Sequence, residues 1–388
     1  MSKSATNEYI NKTRERYSAM VTRVAKSSVL DGFCQTTDYD RKHAIKLLNG
    51  KSGNRVNKAG RKSKYGEDVK IVLKGIWLMS DQLCSKLLHP VIGLFLESYG
   101  KHVAVVPKEV KKKLLTISPA TIDRLLQSER IETAKWRRRL NKSSRKLKNS
   151  VPVRVGPWDV NWPGWLEADG VAHCDRSMAG NFIWTVTYVD IFSGWTEARA
   201  TWNRSSAAVK ENTQQLIIRL PFDVLGLDVD NGPEFLNWSI YRLCEENTPK
   251  IKFTRSRPYH KNDNAHVEQR NWTHVRQLLG YDRFEDPEMV GLINDLYTNE
   301  WSLFKNLYCP IMKLISKHRV GSKYVKKFDK PKTPCQRLLD LKGFPRAKKT
   351  ELRKMLKESD PYLLKQSIDK KLDAILNYQQ KPIKGRAS

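Results

Sequence analysis

Hydrophobic and polar positions follow two different periodicities along this chain, and the change falls near Trp162. Before it, apolar residues recur at helical spacing, as in residues 39–49. After it come short runs rich in β-branched and aromatic residues, bounded by glycine and proline, which are typical of strands. We therefore predict an all-α N-terminal part followed by a central sheet.

The order of elements after Trp162 predicts one particular sheet. Strand-like runs cover residues 165–173, 181–190, 195–202, 222–229 and 251–254. Helical patterns cover residues 205–220, 237–247 and 265–279, and Asp286-Pro287 begins a further helix to about residue 304. Three strands in hairpin order and then alternating helices and strands predict an α/β, RNase H-like mixed five-stranded sheet.

The N-terminal part contains two helix-turn-helix patterns. Residues 1–50 place two short helices around a polar turn, and the second helix is basic. In residues 66–134, Ser118 is a good N-cap and Pro119 suits the first helical position of a second such unit. A plain helical hairpin fits the same pattern. The charge of the chain favours the DNA-reading interpretation.

These patterns predict a multidomain chain with an N-terminal all-α helix-turn-helix region and a basic, mostly helical C-terminal region. The predicted boundaries are a helix-turn-helix domain at 1–50, a second helical DNA-binding domain at 66–134, a basic linker at 135–160, an RNase H-like core at 161–315, and a basic C-terminal region at 316–388. The linker carries Arg137, Arg138 and Arg139, with no acid among residues 135–154. Both a solvated linker and a clamp on the DNA backbone fit it.

The final helix predicted after Asp360-Pro361 has one apolar face. Leu364, Ile368, Leu372 and Ile375 recur there at helical spacing. Packing against the chain's own core is the favoured interpretation, and contact with another chain is the alternative.

The composition of the chain indicates what kind of partner it binds. The chain has 71 Lys plus Arg against 41 Asp plus Glu, a net charge of +30 and a pI of about 9.8. Such an excess favours a polyanion, although a membrane surface also attracts positive charge. No run of about 18 apolar residues occurs and no secretory pattern opens the sequence. We therefore expect no membrane partner and a cytoplasmic, nucleoid-associated location.

The six cysteines indicate no metal module. Cys34, Cys84, Cys174, Cys244, Cys309 and Cys335 form no Cys-x-x-Cys pair and match no zinc-binding spacing. We expect reduced thiols and no structural zinc.

Three acidic residues are candidates for catalysis and metal binding. Asp169 lies at the end of the first predicted strand, Asp230 directly follows the fourth, and Glu268 opens a helix. Carboxylates brought together in this way suit two divalent ions for in-line phosphoryl transfer. The pattern alone leaves alternatives open, since other acids lie on or at the ends of the same strands, namely Glu167, Asp190 and Asp228.

Residues 165–285 resemble the integrase-type core of bacterial insertion-sequence transposases, in the retroviral-integrase superfamily. The matching segments are Leu166-Glu167-Ala168-Asp169-Gly170, Asp228-Val229-Asp230-Asn231-Gly232-Pro233-Glu234-Phe235 and Arg255–Asn271, which ends in Ala265-His266-Val267-Glu268-Gln269-Arg270-Asn271. The resemblance places the three family acids at Asp169, Asp230 and Glu268, as catalytic and metal-binding residues. It implies two Mg²⁺ (or Mn²⁺) ions per site.

Further residues around these acids are candidates for supporting roles. We predict phosphate contacts from Arg255, Arg257, Lys261 and Arg270, together with the three linker arginines. Auxiliary candidates are His173, Asn231 and His266. A packed His173 and a turn-forming Asn231 are the simpler interpretations. The His-His-Cys-Cys zinc module of retroviral integrases has no counterpart in the N-terminal residues, so helix-turn-helix units are expected to bind DNA ends instead.

The resemblance and the charge together predict a DNA transposase. It would bind the ends of an element, hydrolyse a phosphodiester bond and transfer the resulting strand into target double-stranded DNA. Two alternatives remain: a DNA-binding regulator derived from a transposase, and another RNase H-like nuclease. An element has two ends and one chain has one set of three acids, so we expect a homo-oligomer on DNA.

Overall fold

The computed structural model describes residues 3–50, 64–131, 160–229, 232, 234–235, 237–255 and 265–379. The chain divides into two compact units, Met1–Lys64 and Tyr65–Ser388.

The first unit contains three helices, α1 (Lys3–Ala19), α2 (Arg23–Thr37) and α3 (Arg41–Asn49). Asp38 ends α2 in the left-handed conformation, and the Asp40 side chain caps α3 by accepting from the backbone of Lys42. Leu30, Phe33, Ala44 and Leu48 form a small core. The sequence predicted two helices around this turn, and α1 adds a third that packs on them.

The second unit begins with a group of helices. They are α4 (Glu67–Met79), α5 (Ser85–Leu88), α6 (Ile92–His102), α7 (Lys108–Leu115) and α8 (Pro119–Leu125). The predicted cap at the last of these is present, since the Ser118 hydroxyl accepts from the backbone N–H of Thr121.

A mixed five-stranded sheet follows, as the sequence predicted. Its strands are β1 (Trp165–Ala172), β2 (Ile183–Asp190), β3 (Thr196–Trp202), β4 (Gly226–Val229) and β5 (Lys252–Arg255), in the order β3-β2-β1-β4-β5. β2 runs antiparallel to β1 and β3, while β4 and β5 run parallel to β1. The parallel pairs need crossovers, which α9 (Ser206–Arg219) and α10 (Trp238–Glu246) supply. This is the strand order of the RNase H-like fold.

Further helical elements follow the sheet in the sequence. One continuous helical stretch comprises α11 (Ala265–Arg270), a π-helical segment (Asn271–Arg276) and α12 (Gln277–Leu279). Next comes α13 (Met289–Leu296), followed by π-helical segments at Tyr297–Trp301 and Phe304–Tyr308. The chain ends in α14 (Pro334–Asp340), α15 (Arg346–Glu358) and α16 (Pro361–Gln379).

The helices before the sheet pack on elements after it. Phe95 of α6 is fully buried, with its ring 6.4 Å from Phe304 and 6.1 Å from Tyr308 between centroids. The Lys305 ammonium lies 3.0 Å from the Asp81 carboxylate. Residues 65–131 thus share one apolar core with the sheet. The separate DNA-binding role assigned to 66–134 stays a prediction.

A two-stranded antiparallel ribbon interrupts the C-terminal helices. It consists of β6 (Leu314–Val320) and β7 (Lys323–Phe328), joined at Gly321 and Ser322. The sequence predicted a basic, mostly helical region here, so the ribbon is a finding of the structure. The local signal was the Gly-Ser pair, because glycine at φ +61° suits the tight turns that join hairpin strands.

The apolar face of α16 is turned to its own chain. Ile368 and Ile375 are buried, and Leu364 and Leu372 pack against the main core. This favours the first of the two interpretations of that face. Within the described residues, no helix combines the length and the apolar character needed to cross a bilayer.

Candidate active site

Asp169 lies on the central strand of the sheet. β1 has β2 on one side and β4 on the other, so its backbone is fixed along both edges. Side chains alternate between the two faces of a strand, which places Asp169 on the same face as Glu167 and Val171. The Asp169 carboxylate is half-buried and accepts hydrogen bonds from the Gly170 N–H at 2.8 Å and from the Asn271 amide Nδ2 at 2.7 Å.

Two hydrogen bonds join the helix of Glu268 to the strand of Asp169. The backbone N–H of Val267 donates to the buried Glu167 carboxylate at 3.1 Å, and Asn271 donates to Asp169. Glu268 is exposed, between these two contacts in sequence, and Asn271 follows it by three residues, which is about one helical turn. These two contacts hold the helix that carries Glu268 against the strand that carries Asp169.

The second predicted acid, Asp230, lies outside the described residues, as does Asn231. Val229, the last described residue of β4, pairs with Ala168 of β1, and the preceding pair is Asp228 with Glu167.

The alternative acids are buried and serve the fold. Glu167 holds the start of α11 through Val267, and Asp228 accepts from the Thr254 hydroxyl of β5 at 2.7 Å. Asp190 accepts from the Gly164 N–H and from both the N–H and the hydroxyl of Ser193. Their burial and their partners favour the structural interpretation that the sequence left open.

Burial raises the pKa of Asp190 from its ordinary value of 3.8 to about 6, although the hydrogen bonds from Ser193 and Gly164 and the charge of Lys313 act against it. A folded-state pKa above the unfolded one means that the folded protein binds this proton more tightly. The contribution of Asp190 to stability is therefore present below about pH 4 and is lost as the pH rises through about 6.

The wild type is expected to lose up to about 3 kcal/mol of unfolding free energy relative to Asp190→Asn over that pH window, at about 1.4 kcal/mol per pKa unit. Urea unfolding of both proteins at several pH values between about 4 and 7 measures the difference. A difference that stays constant with pH would show that Asp190 does not titrate there.

His173 is packed in the interior. Its Nε2 lies 2.8 Å from the Thr185 hydroxyl, which in turn lies 3.2 Å from the Tyr297 hydroxyl. Burial, followed by the charge of Arg276, lowers the pKa of His173 to about 3, so the ring is neutral at physiological pH. Of the two interpretations of His173, the structure favours the packed one over phosphate contact.

The predicted phosphate contacts divide into three groups. Arg255 is exposed at the end of β5. Arg270 is half-buried, and its guanidinium lies close to Gly194. Its Nη2 is 3.1 Å from the position that a Cβ atom on this glycine would occupy. Its burial, and then the charge of Arg337, lowers the pKa of Arg270 to about 10. The remaining members lie outside the described residues: Arg137, Arg138, Arg139, Arg257 and Lys261. His266 is exposed on α11.

Two features beside the site were missed from the sequence. Asn271, at the junction of α11 with the π-helical segment, directly holds Asp169. Glu234 is buried next to Gly170 and is paired with Arg204, whose guanidinium lies 4.7 Å from the centroid of the Trp184 ring. The interruption of a helix by π-helical geometry is common at functional sites but is set by packing, so no sequence signal announced it.

The donor chemistry of the site fits a hard divalent cation. Asp169 and Glu268 offer only carboxylate oxygens, which are the ligands that Mg²⁺ prefers. The described part of the chain has no group of three His, Cys, Asp or Glu side chains placed to hold a metal ion, and the third acid, Asp230, lies outside that part.

Comparison with known proteins gives one relative along most of the chain. No family model matches the chain. An uncharacterised protein, y4rM of Sinorhizobium fredii (strain NBRC 101917 / NGR234), is 36% identical over 339 residues, covering 87% of this chain and 96% of that protein. The chain belongs to the y4rM family. A match over 87% of the chain extends beyond the central sheet.

Solved structures similar to this y4rM-family chain include retroviral integrase catalytic cores. The core domain of BIV integrase is 26% identical and covers 30% of this chain and 68% of that one, at a TM-score of 0.24. The HTLV-2 integrase core in complex with magnesium is 19% identical and covers 38% and 90%, at a TM-score of 0.28. The strand order β3-β2-β1-β4-β5 identifies the fold of the sheet.

Proposed function

We propose that this y4rM-family chain is a DNA transposase with an integrase-type core. It would hydrolyse a phosphodiester bond at the end of an element and then transfer the new 3′-OH to a target strand. The observation that carries the proposal is the joining of the Glu268 helix to the Asp169 strand through Val267 and Asn271. The buried Glu167 carboxylate and the Asn271 amide hold the helix of Glu268 against the strand of Asp169, which supports the proposal.

In this proposal Asp169, Asp230 and Glu268 would hold two Mg²⁺ or Mn²⁺ ions, which stabilise the attacking and leaving oxygens of an in-line displacement. Asn271 and the Gly170 N–H fix the orientation of the Asp169 carboxylate. Glu167 fixes the first turn of α11, so that the exposed Glu268 is presented at a set position. Such support of a metal-binding carboxylate by hydrogen bonds is a general feature of metal sites.

The substrate we propose is double-stranded DNA. A net charge of +30 matches a polyanion, and phosphoryl transfer depends chiefly on positioning and charge stabilisation. Two ends must be cut and joined, and one chain offers one set of three acids. We therefore propose that at least two chains act together on DNA.

A direct experiment tests the proposal. The purified full-length chain is incubated in Mg²⁺ with duplexes taken from the DNA that flanks its own coding region. We expect strand cleavage at a defined position, followed by joining of the cut strand to a second duplex. Products would be resolved on denaturing gels. Absence of both products with every flanking duplex would overturn the proposal.

End recognition is assigned to α3 in the first unit. Lys42 and Lys46 are exposed on this helix, which follows the Asp38–Asp40 turn as a recognition helix would. The double change Lys42→Ala with Lys46→Ala is expected to lower affinity for an end-bearing duplex at least about tenfold, since each good contact is worth about 1–3 kcal/mol.

Fluorescence anisotropy with end-bearing and random duplexes measures this effect. The matched control removes two exposed charges from α1, by Lys12→Ala with Arg16→Ala. Equal losses in both variants would mean that the first unit contributes charge and no sequence recognition.

A further inference from the structure

The β6–β7 ribbon has the composition of a surface that meets a polyanion. Every residue of its two strands is exposed. Residues 314–328 contain no acid, and their basic residues are Lys317, Arg319, Lys323, Lys326 and Lys327. An isolated two-stranded ribbon is only marginally stable in water. A ribbon with both faces exposed is therefore unusual unless it has a role besides stabilising the fold.

The register concentrates positive charge on one face of the ribbon. Directly paired residues share a face, and Lys317 pairs with Lys326 while Arg319 pairs with Tyr324. Like charges placed directly opposite destabilise a strand pair. The Lys317 ammonium also lies 4.5 Å from the centroid of the exposed Tyr324 ring. The face thus presents three cations around one aromatic ring. Repulsion between these cations lowers the stability of the ribbon, and binding to phosphate would offset that loss.

The root of the ribbon is held firmly. The Lys313 N–H donates to the Asp329 carboxylate at 2.7 Å, and the Asp329 N–H donates to the Lys313 carbonyl at 3.0 Å. Arg337 of α14 donates to the other oxygen of Asp329 at 2.6 Å. The Lys313 ammonium donates to the Phe192 carbonyl, in the turn between β2 and β3, at 2.7 Å. An exposed arm on a fixed root can hold a ligand at a defined place.

That root adjoins the helix of Glu268. Gly194, at φ +74° in the turn after β2, lies against both the Ile311 side chain and the Arg270 guanidinium. Arg270 is two residues beyond Glu268 on α11, and Ile311 is two residues before Lys313. The charge of Arg337, which anchors the root, also contributes to the lowered pKa of Arg270. A ligand held along the ribbon would therefore be anchored beside the helix that carries Glu268.

We infer that the β6–β7 ribbon is a DNA-binding arm that contacts the phosphate backbone of a duplex entering the candidate active site. A two-stranded ribbon fits the width of the major groove of B-DNA. The face carries three cations and an aromatic ring, which can contact phosphate oxygens. It carries no carboxylate that could accept a hydrogen bond from a base. We therefore expect sequence-independent binding, of the kind that suits a target duplex. The inference rests on the proposed function for the identity of the ligand.

The test compares two full-length variants with equal loss of charge. The ribbon variant carries Lys317→Gln, Arg319→Gln and Lys326→Gln. The control carries Arg346→Gln, Arg353→Gln and Lys357→Gln, three exposed positions on α15. Both are made in a Glu268→Gln background and titrated with a random duplex over a range of salt concentrations, so that binding is measured without cleavage.

The ribbon variant is expected to bind at least about tenfold more weakly. Its log–log salt slope should fall by about 2–3, at about 0.9 per lost phosphate contact, while the control keeps the slope of the parent. Equal slopes in the two variants would overturn the inference. So would an unchanged affinity together with a changed oligomeric state by light scattering, because the ribbon would then be a contact between copies of the chain.

A second measurement does not depend on loss of affinity. A photo-crosslinking amino acid in place of Ser322, at the tip of the ribbon, should capture the duplex, whereas the same amino acid in place of the exposed Ile218 of α9 should not. Crosslinking from Ile218 alone would overturn the inference. Since no cleavage is involved in either measurement, failure of the ribbon to bind is distinguishable from failure of the proposed activity, which the Mg²⁺ assay with the wild type reports.

Discussion

Asp169→Asn, Asp230→Asn and Glu268→Gln are each expected to reduce DNA end cleavage in Mg²⁺ by more than about a hundredfold, or about 2.7 kcal/mol of activation free energy. Each change removes one anionic ligand from a site in which both ions depend on all three acids. The loss should therefore be large for every single change. Cleavage rates under single-turnover conditions measure it.

Folding should survive these changes. In Asp169→Asn the new amide would face the Asn271 amide, but a flip of Asn271 presents its Oδ1, which accepts no hydrogen bond among the described residues. Affinity for DNA should stay the same or rise, because a negative charge near phosphate is lost. Measuring the folding and the DNA affinity of each variant therefore separates a catalytic defect from a structural one.

Asp228→Asn is the matched control. It also removes one negative charge from the same sheet, at a buried residue whose hydrogen bond from Thr254 an amide oxygen can accept. We expect its cleavage rate to stay within about tenfold of the wild type. If any of the three predicted acids behaves like this control, that acid has been wrongly assigned.

Phe95→Ala is expected to lower the unfolding free energy of the second unit by about 3–5 kcal/mol, the usual range for deleting a buried phenyl ring. Phe95 is fully buried against Phe304 and Tyr308, which lie beyond the sheet in the chain. Its loss should therefore weaken the helices before the sheet and the elements after it together. Urea unfolding followed by tryptophan fluorescence and by far-UV circular dichroism measures this.

Val105→Ala controls for the change of residue, since Val105 is 91% exposed and its replacement should cost less than about 0.5 kcal/mol. A single transition reported identically by both probes is expected. Two transitions, with residues 65–131 unfolding before the sheet, would instead show a separate helical domain, as the sequence predicted for residues 66–134.

The local signals of the sheet were strong, and the succession of strands and helices along the chain could be predicted from them. Residues 183–190 are β-branched or aromatic at most positions and read as a buried strand, and the Ser193-Gly194 pair marked the turn to β3. Helices between β3, β4 and β5 then required parallel crossovers. These predictions succeeded because each depended on residues near one another in sequence.

The candidate acids were selected from the sequence with help from the family resemblance. Pattern alone could not separate Asp169 from Glu167, or Asp230 from Asp228, because residues two apart on a strand share a face. The structure separates the first pair through partners that are distant in sequence. Glu167 is buried and holds Val267, while Asp169 is half-buried and is held by Asn271. Burial and long-range hydrogen bonds are tertiary properties.

The sequence by itself determined the succession of strands and helices in the core, the cap at Ser118 and the charge that indicates a polyanionic partner, because these follow from local periodicity and composition. The tertiary structure alone decided which helices share a core with the sheet, since the packing of Phe95 on Phe304 joins residues more than two hundred positions apart. It also decided that residues 314–328 form an exposed ribbon. A strand that packs on nothing leaves no periodic pattern of burial in its sequence, so only the cross-strand pairing reveals it.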